Sequence, residues 1–367
     1  MHITSAFDSG NIEVVELSGD TARLRIRQDT QSDFYQWFNF RVSGAKGRAV
    51  NLRIENASGA AYPKGWEGYN ACISADRESW TRLPGTAFDG EALTLEFTPD
   101  SDLVQIAYFA PYTYDRHLDL VAGMAKRDGV EHRVLGQTLQ GRPMDAFTIG
   151  EGALDVWVIA RQHPGESMAE WWMEGFLDAL LLNADAQALM RFHVVPNMNP
   201  DGSFLGNLRT NAVGANLNRE WNVATPERSP EVLCVRNAMD AAPPALCLDV
   251  HGDEALPYNF IAGSEGIPGF TDTQREELRA FLEAYKDATP EFQTRRGYAV
   301  TAPGKANLGM CTNYTAHAYG GLAMTLEMPF KDNADMPEPG AGWSPERCRQ
   351  LGRDVLAPML GWARGRA

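Results

Sequence analysis

The sequence contains no apolar run long enough to cross a membrane, so no membrane-spanning helix is expected in its 367 residues. Its first residues, MHITSAFDSGNIEVVEL, lack the basic segment and apolar stretch of a secretory signal peptide. Cysteine is scarce: five residues are scattered with no CxxC pair, which is typical of reduced thiols rather than of a disulfide framework. These absences predict a cytoplasmic protein.

Positive charge is also in short supply. The chain has 33 Lys and Arg residues against 48 Asp and Glu residues, which gives a formal net charge of −15 at pH 7. Nucleic acids and anionic membrane surfaces both require a basic face on the protein that binds them. We therefore expect neither a nucleic acid nor a membrane as a partner.

The N-terminal third of the chain alternates apolar and polar residues, as in TARLRIRQ, YQWFNFRVSG, AVNLRIENA and LTLEFTPD. This period of two is typical of half-buried strands, and turn-forming stretches such as SGAKG and TPDSD separate the segments. Short strands at this spacing predict an antiparallel β-sandwich. We place it at residues 1–117, followed by a second domain at residues 118–367.

The second domain alternates short apolar segments with helical patterns, which predicts an α/β layer architecture. Strands are expected at DVWVIAR, RFHVVPNM, ALCLDVHG and LAMTLEM. Helices are expected at residues 168–182, 231–241, 272–288 and 344–364, with Ser344 as the N-cap of the last helix.

Ionisable residues fall where these strands end. His163 and Glu166 follow DVWVIAR on the turn into a helix. His251 ends ALCLDV, and Glu327 lies in LAMTLEMP. Because sites in α/β sheets collect at the carboxyl ends of neighbouring strands, these side chains are expected to converge. Two imidazoles and a carboxylate form a ligand set that catalytic zinc uses, with a further position open for water.

Five sequence blocks then occur in a recognisable order: HPGE, NPDG, LRTNAVGANLNREW, DVHGDE and TLEMP. The series resembles the zinc metallocarboxypeptidases and, among them, the cytosolic carboxypeptidase subfamily, over nearly the whole chain. The resemblance implies an α/β fold: an N-terminal β-sandwich followed by a carboxypeptidase-like domain with a mixed central sheet flanked by helices. It also implies zinc as the cofactor and the C-terminus of a peptide or protein as the substrate.

The resemblance assigns the metal ligands and the catalytic group by position. His163, Glu166 and His251 match the zinc ligands of the family. Glu327 matches its catalytic carboxylate. As a general base, Glu327 is expected to take a proton from the attacking water and to deliver it to the leaving amine.

Substrate-contacting residues are implied in the same way. Arg209 matches the arginine that polarises the scissile carbonyl, and Asn218 with Arg219 matches the pair that holds the C-terminal carboxylate. A planar guanidinium can bind a carboxylate through two hydrogen bonds. One position departs from the family: Asn216 stands where an aspartate often hydrogen-bonds a zinc histidine, which implies weaker zinc binding.

The tyrosine that covers the active site in this family has three candidates before Glu327. We favour Tyr314 over Tyr298 and Tyr319. Three acidic residues near His251 are interpreted as supporting groups rather than further ligands: Asp249, Asp253 and Glu254.

The subfamily is associated with the removal of glutamate, which requires a basic residue facing the C-terminal side chain. Arg295, Arg296 and Lys305 are basic candidates, although residues 310–313 in the loop before Glu327 read MCTN and are not basic. Hydrolysis of glutamyl bonds is thus one expectation within the carboxypeptidase function. Two other functions stay open: a zinc-dependent deacylase of small N-acyl amino acids, and a peptide-binding module without turnover.

Overall fold

Two five-stranded sheets form the N-terminal part of the protein in a computed structural model, which describes residues 1–366. In spatial order, the first sheet contains β1 (His2–Thr4), β4 (Asn39–Ser43), β10 (Leu103–Ala107), β6 (Cys72–Ser74) and β7 (Thr81–Arg82). The second sheet contains β2 (Glu13–Ser18), β3 (Thr21–Arg25), β5 (Val50–Ile54), β9 (Leu93–Phe97) and β8 (Thr86–Phe88). The predicted N-terminal β-sheets are confirmed.

One strand pair in this part is not antiparallel. Strands β3 and β5 run parallel, whereas their neighbours in both sheets pair antiparallel. The alternation in the sequence could not reveal this, because side chains alternate with a period of two in either orientation. In β5 the pattern is plain: Val50, Leu52 and Ile54 are buried, and the residues between them are partly exposed.

A seven-stranded mixed sheet forms the centre of the second part. In spatial order it contains β11 (Val130–Gln137), β12 (Pro143–Ile149), β14 (Met190–Val195), β13 (Leu154–Ala160), β15 (Leu246–Asp253), β17 (Leu322–Pro329) and β16 (Phe260–Ala262). Strands β14, β13, β15 and β17 are parallel neighbours, and β11, β12 and β16 pair antiparallel at the two sides. The carboxyl ends of the four parallel strands therefore lie at one edge, as the α/β prediction requires.

The α-helices are α1 (Tyr114–Met124), α2 (Met168–Leu181), α3 (Ala184–Leu189), α4 (Pro200–Leu205), α5 (Pro230–Ala241), α6 (Asp272–Ala288), α7 (Cys311–Tyr319), α8 (Pro345–Asp354) and α9 (Leu356–Arg364). Short 3-10 helices lie at Ala57–Gly59, Pro63–Trp66 and Leu217–Arg219. Within residues 1–366, no helix combines the length and apolarity needed to span a bilayer.

The predicted helices α2, α5 and α6 are confirmed, but the last predicted helix is two helices. Ser344 caps α8 as expected, since its side chain accepts a hydrogen bond from the Arg347 N–H. The helical run is interrupted at Val355, between α8 and α9. Pro358 explains the interruption, because it has no N–H to offer to the carbonyl of Asp354 four residues earlier.

Apolar side chains cover both faces of the central sheet. Along β13, Val156 and Val158 belong to the larger core cluster, whereas Trp157 and Ile159 belong to a smaller cluster on the other face. The larger cluster also contains residues of the N-terminal sheets, such as Phe40. The two parts of the chain therefore share one apolar core.

The division predicted at residues 117 and 118 falls inside α1, Tyr114–Met124. Helix α1 contacts α4 and β11 of the second part. We propose that the whole of α1 belongs to the second domain, because a helix is a cooperative unit that is not divided between two folding domains.

A buried charged cluster joins α1 to the second domain. Nδ1 of His117 lies 2.8 Å from Oε1 of Glu170, and its Nε2 lies 3.6 Å from Oδ2 of Asp145. Burial opposes protonation, but the two carboxylates outweigh it and raise the pKa of His117 to about 9. Arg161 pairs with the other oxygen of Glu170, so a second positive charge offsets the carboxylates.

This cluster predicts a loss of stability at alkaline pH. Since the pKa of His117 is raised on folding, its contribution is complete below pH 6.5 and disappears as the pH rises through about 9. The shift corresponds to about 3 kcal/mol of unfolding free energy. We expect urea titrations between pH 6 and 10 to show this decline, and His117→Gln to lack it. The control His2→Gln alters an exposed histidine and should keep the wild-type slope; an identical slope in His117→Gln would contradict the assignment.

Candidate active site

Two of the predicted site residues are neighbours across the central sheet. His251 on β15 is the register partner of Glu327 on β17. Residues that face each other on adjacent strands project from the same side of a sheet. Both side chains are buried, with His251 1% and Glu327 7% exposed.

The turn after β13 carries the other two predicted ligands. Arg161 begins this turn with φ at +60°, an uncommon conformation for a residue other than glycine. Its guanidinium donates to the carbonyl oxygens of Pro164 at 2.9 Å and Tyr112 at 2.6 Å. These buried hydrogen bonds, with the Glu170 ion pair, hold the turn that presents His163 and Glu166.

Glycine is required in this turn by a close approach. The Gly165 N–H donates to the Leu208 carbonyl at 2.8 Å, and a Cβ built on Gly165 would lie 2.9 Å from the same oxygen. A larger residue would push the two segments apart. The turn that carries His163 and Glu166 is thereby fixed beside Arg209, the residue that follows Leu208.

The predicted ligand atoms converge. Nδ1 of His163 and Nδ1 of His251 are 3.2 Å apart. The two oxygens of Glu166 lie 2.7 Å and 2.8 Å from these nitrogens. Ligand atoms about 2.0–2.2 Å from one zinc ion in tetrahedral geometry are separated by roughly 3.4 Å, so this N₂O donor set fits zinc.

Each imidazole has an outer partner on its Nε2 atom. For His163 the partner is Asn216, whose Oδ1 lies 3.1 Å away. For His251 it is Asp249, whose Oδ2 lies 2.9 Å away and also accepts a hydrogen bond from Gln162 at 2.6 Å. Such partners orient metal-binding histidines, and a carboxylate strengthens the ligand more than an amide does.

The protonation states of the three groups differ. Burial, and next the charge of Arg209, lowers the pKa of His163 to about 4. Burial acts in the same direction on His251, but Asp249 and Glu166 outweigh it and hold its pKa well above the ordinary value. The two imidazoles lower the pKa of Glu166 in spite of its burial. Binding of a metal requires neutral imidazoles and an ionised carboxylate in this set.

Glu327 stands next to this donor set. Burial raises its pKa well above the usual range, and Glu166 and Asp253 add to the effect while His251 opposes it. Its Oε1 lies 3.2 Å from the Tyr298 hydroxyl oxygen, and its Oε2 finds no hydrogen-bond partner among residues 1–366. A buried carboxylate with a free oxygen is costly for folding and is typical of a functional site.

These groups open into one cavity, lined by Tyr62, His163, Glu166, Arg209, Asn218, Arg219, Gly252, Asp253, Glu254, Ala255, Tyr298, Met310 and Glu327. The cavity therefore brings together every predicted site residue except His251, which lies beneath it, and Tyr314.

Comparison with known proteins agrees with this geometry. The family model described as the cytosolic carboxypeptidase N-terminal domain matches residues 3–109, and the zinc carboxypeptidase model matches residues 118–346. The chain belongs to the zinc carboxypeptidase family. It is 27% identical to human cytosolic carboxypeptidase 6 over 405 residues, which cover 98% of this chain and 78% of the relative. It is 52% identical to an uncharacterised Zymomonas mobilis protein, over 97% and 95% of the two chains.

Solved structures of zinc carboxypeptidase relatives share the whole fold. A metallo-carboxypeptidase from Burkholderia cenocepacia has a TM-score of 0.96 at 46% identity and covers 99% of each chain. A Pseudomonas aeruginosa metallo-carboxypeptidase, in complex with (2-guanidinoethylmercapto)succinic acid, has a TM-score of 0.96 at 43% identity and covers 98% of each chain. The chain is therefore a metallocarboxypeptidase, and the family implies zinc.

The tyrosine favoured from the sequence does not line the cavity of this carboxypeptidase. Tyr314 lies on α7, where its ring packs near Trp221 and under the guanidinium of Arg236. Tyr298 lines the cavity instead, and its hydroxyl donates to Asp253 at 2.6 Å. Which tyrosine covers the substrate stays a prediction. The structure places Tyr298 rather than the favoured Tyr314 at the cavity, because α7 turns the Tyr314 side chain towards Trp221 and Arg236.

The predicted substrate-binding residues occupy different surroundings. Asn218 is buried, and its Oδ1 accepts a hydrogen bond from the Cys311 N–H at 2.8 Å. Arg219 is exposed to the cavity, and Nη1 donates to the Asn218 carbonyl at 2.6 Å. The Arg209 guanidinium lies near the Tyr62 ring, 5.4 Å from its centroid. Tyr62, which precedes the 3-10 helix Pro63–Trp66, was not predicted, because nothing in the local sequence indicates that this loop reaches the active site.

Proposed function

We propose that this metallocarboxypeptidase hydrolyses the last peptide bond of a peptide or protein chain, with zinc held by His163, Glu166 and His251. Glu327 is the general base in this proposal. The observation that carries it is the convergence of an N₂O donor set, a buried carboxylate with a free oxygen and two arginines on one cavity. A peptide end offers a carbonyl, an amide nitrogen and a carboxylate to these groups.

Proton transfer is the task of Glu327. Zinc, when bound, acidifies water and polarises a carbonyl, and its positive charge lowers the pKa of the nearby Glu327. The ionised Glu327 then accepts a proton from the attacking water and donates it to the amine as the C–N bond breaks. Tyr298, whose hydroxyl oxygen lies 3.2 Å from this carboxylate, covers the reacting bond.

The two arginines bind different groups of the substrate. Arg209 stabilises the negative charge that develops on the carbonyl oxygen. Arg219 and Asn218, which both line the cavity, bind the C-terminal carboxylate. The ligand of the Pseudomonas aeruginosa relative supports this assignment, because succinic acid carries two carboxylates.

The proposal predicts that the enzyme requires a free C-terminus. Charge-assisted hydrogen bonds contribute about 1.5–3 kcal/mol. We therefore expect kcat/KM to be about 10–100-fold higher for a peptide with a free carboxylate than for its C-terminal amide. In Arg219→Ala this ratio should fall close to one. The ratio for Arg219→Lys should lie between those of wild type and Arg219→Ala, since lysine keeps the positive charge but cannot make the two parallel hydrogen bonds of a guanidinium.

Arg279→Lys is the matched control, because Arg279 is an exposed arginine on α6 outside the cavity. It should preserve the wild-type ratio. Equal rates on the free and amidated peptides in the wild-type protein would refute the carboxypeptidase proposal. Faster hydrolysis of an N-acyl amino acid than of a tetrapeptide would favour the deacylase, and zinc binding without turnover would favour the binding module.

Specificity for the side chain of the released C-terminal residue is a separate question. A preference for glutamate would require a cation beyond Arg209 and Arg219, and the other residues that line the cavity include none. Arg295 and Arg296 pair with Asp335 instead. Peptides ending in Glu, Leu and Lys would decide this point: equal rates would remove the glutamyl expectation and leave the carboxypeptidase proposal intact.

A further inference from the structure

A carboxylate of the N-terminal domain, on the loop between β3 and β4, binds the segment that carries Arg209. Oδ1 of Asp29 accepts a hydrogen bond from the Leu208 N–H at 2.6 Å. Oδ2 accepts from the N–H groups of Arg209 at 2.7 Å and Thr210 at 2.9 Å, and from the Thr210 hydroxyl at 3.1 Å. Three consecutive backbone N–H groups thus point at one side chain, an arrangement that binds anions strongly.

This contact is deeply buried. Asp29 is only 4% exposed, and burial raises its pKa to about 6 while the hydrogen bonds pull it down. Both of its oxygens accept hydrogen bonds from N–H or O–H donors, as those of an ionised carboxylate do. Charge-assisted hydrogen bonds of this kind are about twice as strong as neutral ones. The Arg209 backbone is therefore held by an anion from the other domain.

The segment around Arg209 depends on such contacts because it has no regular secondary structure. Residues 206–216 lie between α4 and the 3-10 helix Leu217–Arg219. The N-terminal domain supplies further anchors here: Asn11 donates to the Gly206 carbonyl at 2.9 Å, and the Thr30 N–H donates to Asn207 Oδ1 at 3.2 Å.

The same domain also contacts the arginine side chain. The guanidinium carbon of Arg209 lies 5.7 Å from the centroid of the Phe34 ring and 5.4 Å from that of Tyr62. Aromatic rings within about 6 Å of a guanidinium attract it. Backbone and side chain of Arg209 are thus both positioned by loop residues of the N-terminal domain.

We infer that Asp29 is a positioning residue for the reaction, and that the N-terminal domain completes the active site by fixing Arg209. The inference rests on the role of Arg209 in the proposed function. Catalysis is sensitive to such placement, since a displacement of about 1 Å can cost 100-fold in rate. Asp29 acts through Arg209 and does not touch the substrate.

A double-mutant cycle tests this. In Asp29→Asn, the amide nitrogen faces backbone N–H groups and cannot accept from them, so we expect kcat to fall about 10–100-fold with KM little changed. Arg209→Ala should cost about 10²–10³-fold. If Asp29 acts through Arg209, Asp29→Asn should cause no further loss of kcat in the Arg209→Ala background.

The outcomes of the cycle separate failure of the inference about Asp29 from failure of the proposed role of Arg209. Losses of kcat that multiply, or a wild-type kcat in Asp29→Asn, would overturn the inference. A wild-type kcat in Arg209→Ala would instead refute the role of Arg209 in the proposed function. Asp33→Asn, an exposed aspartate of the same segment, is the control and should behave as wild type.

A second variant covers the case in which Asp29→Asn does not fold. Phe34→Leu keeps an apolar side chain on the partly exposed position and removes the ring beside the guanidinium. We expect kcat to fall about 2–5-fold, which corresponds to the free energy of an exposed cation–π contact. This loss should be absent in the Arg209→Ala background. An equal loss in both backgrounds would overturn the inference.

Discussion

Glu327→Gln is expected to lower kcat by about 10²–10⁴-fold while the protein retains its zinc. The glutamine side chain has nearly the same size, but it cannot accept and return a proton, which is the step that a general base contributes. Zinc should stay bound because Glu327 is not one of the three converging donor residues. Steady-state kinetics on a tetrapeptide, with zinc measured on the same sample, would check both parts.

The control for this variant is Glu276→Gln. Glu276 is an exposed glutamate on α6, remote from the cavity lining, so its replacement should leave kcat unchanged. Turnover of Glu327→Gln within about tenfold of wild type would show that another group transfers the proton. KM should change little, because the free energy lost belongs to the transition state rather than to substrate binding.

His163→Ala is expected to abolish activity through loss of the metal. Removal of His163 leaves two of the three ligand residues. Loss of a residue that only hydrogen-bonds a ligand already lowers metal affinity by about 10–100-fold. We therefore expect the loss of a ligand itself to lower zinc affinity more than about 100-fold. His163 suits this test better than His251, because its outer partner is the neutral Asn216 rather than the buried Asp249. A buried carboxylate without its partner would destabilise the fold itself.

The zinc content of His163→Ala after dialysis would measure the loss of metal. Its kcat/KM would be compared with that of wild-type enzyme treated with a chelator. The control His317→Ala changes an exposed histidine of α7 and should retain both zinc and activity. Circular dichroism spectra that match wild type would show that the fold is intact. Full zinc occupancy in His163→Ala would contradict the ligand set.

Much of this architecture could be predicted from local patterns. The helix Asp272–Ala288 was predicted with its bounds, because its amphipathic pattern is a property of consecutive residues. Helix α7, Cys311–Tyr319, was missed because its sequence, CTNYTAHAY, shows no clear apolar stripe. Its helical state depends on packing against β15 and β17.

The sequence by itself determined that two imidazoles and two carboxylates stand at or near the ends of strands, since the apolar pattern of each strand is a local property. Only the tertiary structure decided that Tyr298 rather than Tyr314 faces the cavity, and that Asp29 holds the backbone of Arg209 from 180 positions away. The physical reason is that irregular segments take their path from hydrogen bonds and packing with distant residues. No pattern within the segments themselves encodes those contacts.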